Sequence, residues 1–524
     1  MSTAPSPPIA PSEAGTGESP SLPEHVEVAI VGAGFGGLGA AIQLKRAGFE
    51  DFLILERASG VGGTWWANTY PGCQCDVPSN LYSFSFAPRP DWSHSYPEQP
   101  QILDYLGECA ERFGVLPRTR LDCEVIEAAW DEEDRLWRIE TSLGRLSARF
   151  LVAAPGLLSE PSTPDIPGLE SFGGTIFHSA RWNHDHDLAG ERVALVGTGA
   201  TAVQIAPRIR DAVKRLYVFQ RTPPWVFPHF DRPVGERLKR LYRRVPPLQR
   251  LARAVVYGLR EVFVLGLVRD RRLLKVPEAV ARLHLRRQVP DRELRDRLLP
   301  DYEVGCKRIT LSDDWYPTLA APSVEVVTSG IEEVRERSMV TADGTELEVD
   351  TIILATGFSP TDPPIAHRLK DGEGRTLSEV WTGSPQAYLG TTVAGFPNLF
   401  MLYGPNLNIG HTSVVYMMEA QIAYLVEAVR TVGQRGLATL EVRREVQDAW
   451  NADLQERLEG SVWDRGGCTS WYLDANGRNS IMWPDFTFNF RRRTRAFRPG
   501  EYHLEAMPEA AAGAKVGPEL MSAG

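Results

Sequence analysis

The chain writes one device twice. "VEVAIVGAGFGGLGAAIQLKRAG" passes from an apolar run through glycines into a helical pattern, and "DFLILE" follows as a second apolar run. "RVALVGTGATAVQIAPRIRDAVKRLYVFQR", from Arg192 to Arg221, repeats the grammar. Short continuous apolar runs such as Val26–Val31 read as strands buried on both faces, so each unit is a βαβ crossover. In the first, Gly32, Gly34 and Gly37 form G-x-G-x-x-G directly after the strand. The first glycine permits the tight turn. The second lets backbone approach a pyrophosphate, and the third lets the helix pack close to the strand. The free N–H groups of the helix then face the diphosphate. The second unit carries Gly197, Gly199 and Ala202, with Thr198 and Thr201 in the same turn. Such a chain is confined to the α/β class, with two Rossmann-like dinucleotide-binding domains.

The two units end on opposite charges. Glu56 follows Gly32 by 24 residues, and Arg221 follows Gly197 by 24. At the ribose position a carboxylate accepts hydroxyl hydrogen bonds and repels a 2′-phosphate, whereas a guanidinium binds that phosphate bidentately. The first pocket is thus expected to take an unphosphorylated adenosine and the second an NADP-type one, with the Thr222 hydroxyl adding a contact. The plain alternative for Arg221 is a surface charge at a strand end. Two such pockets imply one bound redox cofactor and one diffusible reductant; FAD suits the first and NADPH the second, because flavin accepts hydride from NADPH.

Composition narrows the partners. A net charge of -10 removes the global basic field that nucleic acid would require. No apolar run reaches the ~18–20 residues of a membrane-spanning helix. The longest candidate, Val255–Val268, carries Arg260 and Glu261 in its middle and reads as a packed helix, so no stable membrane insertion is expected. A helical insertion is expected at about 232–299, rich in Arg and Leu. A solvated amphipathic face accounts for most of its charge, with a membrane-surface role as the lesser alternative. Residues 1–23, rich in Pro and Ser, suggest a disordered tail without a secretory signal. The six cysteines include no C-x-x-C pair and no zinc-like spacing, which points to reduced thiols, a cytoplasmic setting and no metal site. Disulfide reductases share the doubled nucleotide arrangement but need a redox cysteine pair beside the flavin. Oxygen is the next candidate acceptor. The expected division is an FAD domain split between 24–158 and 350–524, with an NADPH domain at 159–349 holding the insertion.

Several segments then resemble a family. "FGGTIFHSARW" reads F-x-G-x-x-x-H-x-x-x-W, and "GGTWWANTYPGCQCD" reads G-G-x-W, then Y-P-G, then Asp. With "GCKRITLSDDWYPTL" and "GPNLNIGHTSVVYMMEAQ", they resemble the flavin-dependent type I Baeyer–Villiger monooxygenases over roughly residues 26–497. Asn183 and the Ala154-Pro155-Gly156 crossover depart from that family's usual residues. The resemblance implies an FAD-containing, NADPH- and O2-dependent enzyme that inserts one oxygen atom beside a ketone carbonyl through a flavin C4a-peroxide, giving an ester or lactone. An anionic oxygen intermediate needs a fixed cation. Arg308 is the candidate, always charged and a multiple donor, with Asp76 orienting it and contacting cofactor. Lys307 resembles the lysine that assists the 2′-phosphate. Gly63, Thr64, Trp65 and Tyr82 resemble a flavin-contacting segment, and His178 a hinge residue between the nucleotide domains, with a buried structural histidine as its other reading. Oxygenation of sulfur or nitrogen is the nearest rival; a non-catalytic nucleotide-binding protein on the same fold is a rival of another class.

Overall fold

The computed structural model describes residues 21–507, and the fold is built on two main sheets, one mixed and one parallel, joined by two crossing segments. The first sheet grows from β1 (His25–Val31), which runs through α1 (Phe35–Arg46) into β2 (Phe52–Leu55). After α2 (Thr64–Ala67) and α3 (Gln99–Arg112) come β3 (Thr119–Arg120) and a meander of β4 (Val125–Asp131), β5 (Leu136–Thr141) and β6 (Gly144–Ala153). β1 lies parallel between β2 and β6, with Ile30 opposite Ile54 and Val152. Both faces of this centre are covered, so Val28, Ala29 and Ile30 are fully buried and the apolar run shows no alternation.

The second sheet is wholly parallel. β7 (Thr175–His178), β8 (Arg192–Val196) and β9 (Arg215–Phe219) combine with Val324–Val327 and Thr351–Leu354, and α4 (Ala200–Ile209) crosses from β8 to β9. Here one expected boundary is corrected. A return to the first domain at 350 comes too early, because Thr351–Leu354 is a central strand of the second sheet, paired with both β7 and β8. The return follows it, where Gly357 and Thr356 bond to Ser162 on the outgoing segment. The chain then rejoins the first sheet through Leu399–Met401, parallel to β6, and through Leu369–Lys370 at the far edge beside β4.

The insertion consists of α5 (Glu236–Arg244), α6 (Pro246–Glu261), α7 (Lys275–Gln288) and α8 (Arg292–Arg297). It also grips the first domain. Arg253 on α6 donates to the carbonyls of Asn80, Leu81 and Ser83, and buried Glu261 accepts from the Thr487 amide and hydroxyl. Residues 1–20 of the expected tail lie outside the described residues, and Leu22 packs against the core under the meander.

The expectation of six reduced thiols is corrected at two positions. Cys306 and Cys468 form a disulfide, 162 residues apart in sequence. No local spacing signals this pair, since tertiary folding alone brings the two segments together. Cys73, Cys75, Cys109 and Cys123 are free and buried.

Candidate active site

The two glycine turns are built alike. Gly32 and Gly197 have φ of +99° and +117°, which only glycine adopts without strain. A Cβ on Gly32 would meet the Ala154 carbonyl oxygen at 2.6 Å, and one on Gly197 would meet that of Ala355 at 2.4 Å. Each turn is therefore pressed against the segment by which the chain leaves that domain. Gly37 and Ala202 lie inside α1 and α4, both buried, at the third position where the helix meets its strand.

A cavity of about 420 Å³ opens between the domains. Gly32, Gly34, Glu56, Gly63, Thr64, Trp65, Asp76 and Tyr82 line it from the first domain, Thr201 from the second, and Arg308 from the segment after the insertion. At the tip of β2, the Glu56 carboxylate accepts from the amides of Ala33 and Ala58, at 2.6 and 2.8 Å, which aims it at the glycine turn. Trp65 donates from Nε1 to the Tyr82 hydroxyl at 3.1 Å, so these two rings form one edge-to-face unit on the wall. Ser413 accepts from the Val415 amide and caps the long helix Val414–Arg435, whose first residue also faces the cavity.

Arg308 and Asp76 meet across 232 residues of sequence. Arg308 donates from Nε to Asp76 Oδ2 at 2.7 Å and from Nη2 to Oδ1 at 2.6 Å. This side-on pairing leaves Nη1 unengaged. The side chain keeps 38% of its surface accessible although it lies between domains, which means its open face is the cavity face. A disulfide on one side and a backbone ladder on the other hold the segment. Cys306 is tied to Cys468, and Thr310–Leu311 pairs with Val226–Phe227. The Asp76 charge beside it raises the Arg308 pKa further above its usual range. Burial pushes the Asp76 carboxyl up, but the Arg308 charge and hydrogen bonds, assisted by Arg260, outweigh this and hold it below the ordinary carboxylate value. Both groups are charged at neutral pH.

The remaining predicted residues do not line this cavity. Apart from Gly37 in α1 and His178 at the end of β7, they gather near the ends of β8 and β9. The Thr198 hydroxyl donates to the Thr222 carbonyl at 2.9 Å, and Arg221 is exposed with no ion pair among the described residues. Burial pushes the Lys307 ammonium down, and the Arg221 charge pushes it further. Two cations thus face one another, which is the electrostatics of an anion site. His178 ends β7. Its Nδ1 accepts from the Ala180 amide, and its ring stands edge-on to Phe358 on the returning crossover. Burial holds it neutral by pushing its pKa down.

Sequence reasoning missed residues that reach this site only through folding. Gln204 on α4 donates to the Gln74 carbonyl and accepts from the Tyr70 hydroxyl, docking the second domain on the Tyr-Pro-Gly segment. Trp471 lines the cavity, carried by the loop that Cys468 tethers. Tyr403 and Tyr472 both feel the Arg308 charge; burial pushes the Tyr472 phenol up to about 12. Arg260, read as an interruption in an apolar helix, donates to the Tyr96 hydroxyl and the His411 carbonyl. A charge inside an apolar helical run was the available signal.

Comparisons with known proteins cover most of the chain. Residues 29–241 match the family model described as pyridine nucleotide-disulphide oxidoreductase. A Baeyer-Villiger monooxygenase of Streptomyces coelicolor is 49% identical over 95% of this chain and 96% of its own. One of Pseudomonas aeruginosa is 46% identical over 95% and 94%. The solved structure of OTEMO in complex with FAD and NADP superposes with a TM-score of 0.82, at 27% identity, covering 91% of this chain and 99% of that one.

Proposed function

The chain belongs to the Baeyer–Villiger monooxygenases, and from that premise we propose that Arg308, held by Asp76, is the cation that stabilises negative charge during insertion of oxygen beside a ketone carbonyl. The protein is an NADPH-dependent flavin monooxygenase. Its own residues fit both groups. The Gly32 turn admits no side chain and carries Glu56 at its ribose end. Arg221 and Lys307 supply two cations with no ion pair between or beside them among the described residues, and a 2′-phosphate would relieve their repulsion. FAD when bound supplies the redox chemistry that activates oxygen after reduction by NADPH.

The single observation that carries the assignment is the bidentate Arg308–Asp76 pair on the cavity wall. Two donors are fixed to the carboxylate, so the guanidinium plane is held, and Nη1 is left without a partner in a residue that lines the cavity. A preorganised donor of this kind needs no reorganisation when charge develops on oxygen. Asp76 orients and balances the cation without moving a proton. Tyr403, whose hydroxyl donates to Asn408 Oδ1, and Tyr472 are kept protonated by burial and lie within the field of the same charge. The Trp65–Tyr82 wall excludes water from that side. The division into a split FAD domain and an intervening NADPH domain returning near 355–362, the hinge role of His178, a cytoplasmic setting and acceptance of sulfides as well as ketones belong to the same reading.

Arg308→Ala tests it. The variant is expected to be reduced by NADPH anaerobically at close to the wild-type rate, yet to form ester from a ketone at least ~100-fold more slowly, as removal of one preorganised donor typically costs. Stopped-flow absorbance and product mass separate the two steps. Ester formation at the wild-type rate would sink the assignment.

A further inference from the structure

The outer surface of the insertion departs from the rest of the molecule in two ways at once. Fourteen of the twenty-one exposed large apolar side chains of the described residues lie between Phe230 and Leu283. Segment 232–299 also holds nineteen Lys and Arg against seven Asp and Glu, a net of +12 in a chain whose total is -10. Single exposed apolar residues are ordinary; a contiguous patch ringed by one sign of charge marks an interaction surface.

The arrangement is helical and one-sided. On α6 and its C-cap, Leu251, Val255, Leu259 and Val262 recur at spacings of four, four and three, and each is more than half exposed. The opposite face of the same helix carries Arg253, Arg260 and Glu261, which are spent on the first domain. On α7, Val276, Val280 and Leu283 form a second exposed stripe, with Val276 72% exposed. On α5, Leu238 and Leu241 continue the patch. Around these stripes Arg237, Arg244, Arg250, Arg272, Arg286 and Arg287 are exposed and make no ion pair among the described residues. The inward faces are therefore satisfied by the fold, and the outward faces are not.

We propose that this surface docks the enzyme peripherally on an anionic lipid bilayer. An interfacial helix needs an apolar face for the acyl boundary and Lys or Arg beside it for anionic headgroups; α5, α6 and α7 together present both. No helix of the described residues is long and apolar enough to cross a membrane, so the contact is with the surface. Two other occupants fit worse. A second copy bound through a two-fold axis would set the same positive patch against itself, and like charges oppose that pairing. Nucleic acid would meet the arginines but leave the leucine and valine stripes without apolar partners.

The test is co-sedimentation of the flavin-loaded enzyme with extruded vesicles, of phosphatidylcholine alone or containing about a third phosphatidylglycerol. Binding to the anionic vesicles is expected to be at least roughly tenfold tighter than to the neutral ones, and to fall when salt is raised from about 0.1 M to about 1 M. Leu251→Gln/Leu259→Gln and, separately, Arg244→Glu/Arg250→Glu should each weaken it by roughly tenfold or more, with melting temperature and flavin content as in the wild type. These side chains are exposed, so folding is not at risk. Failure of the wild type to pellet with anionic vesicles, or equal binding to both compositions, overturns the proposal. So does light scattering that shows a dimer which Leu251→Gln/Leu259→Gln splits, since the patch is then a contact between copies.

Discussion

The proposed preference for a phosphorylated nucleotide rests on two side chains, Arg221 and Lys307, the second of which also lies over the Tyr302 ring. Arg221 is exposed and Lys307 is pushed down by burial and by Arg221 itself. Because each cation is unfavourable to the other in the free protein, a bound 2′-phosphate gains from both. A charge-assisted hydrogen bond contributes about 1.5–3 kcal/mol, so Arg221→Ala is expected to lower kcat/KM for NADPH roughly 10- to 100-fold and leave that for NADH unchanged. Steady-state oxidation of the two nucleotides checks this; a parallel loss with both would mean that Arg221 acts on structure. Glu56 makes the opposite case. Its place at a strand tip leads to the expectation of bonds from ribose hydroxyls, whereas its bonds from the Ala33 and Ala58 amides emerge only from the folded turn.

Among the elements, the Arg308 segment shows how a short irregular stretch is made rigid. It has a disulfide two residues before the arginine and a two-residue ladder two residues after it. The Cys306–Cys468 link closes a span of 162 residues. In the chain-entropy account, cross-links over loops this long restrict the unfolded state by about 5 kcal/mol. Reduction of the enzyme, or Cys468→Ser, is therefore expected to lower the melting temperature by several degrees, read by flavin fluorescence during heating. An unchanged transition in both would show that the link does not restrain the unfolded chain. The insertion was legible as helices with a solvated amphipathic face, but not in which side of each helix packs. Periodicity marks a stripe; it does not say that Arg253 and Glu261 occupy the packed side while Leu251 and Leu259 face outward.

At the scale of the molecule, the site is a seam. Gly32 and Asp76 belong to the first sheet's domain, Thr201 and Gln204 to α4 of the second, and Arg308 and Trp471 to segments that neither sheet contains. A nucleotide lying across such a seam stabilises the docked arrangement by mass action. At one hundred times its Kd, NADP+ is expected to add about 2.7 kcal/mol and raise the melting temperature by a few degrees, whereas Arg221→Ala should lose that increment. Thermal unfolding with and without nucleotide measures it, and an equal shift in the variant would place the nucleotide elsewhere. The amino-acid sequence by itself determined both glycine turns, the charges at their tips and the α/β class, because those depend on spacing within some thirty residues and on local sterics. The boundary after Leu354, the Cys306–Cys468 pair, the meeting of Arg308 with Asp76 and the reach of Arg260 were decided by tertiary structure alone. Each joins residues far apart along the chain, and only the packing of two sheets and an insertion sets which of them share a wall.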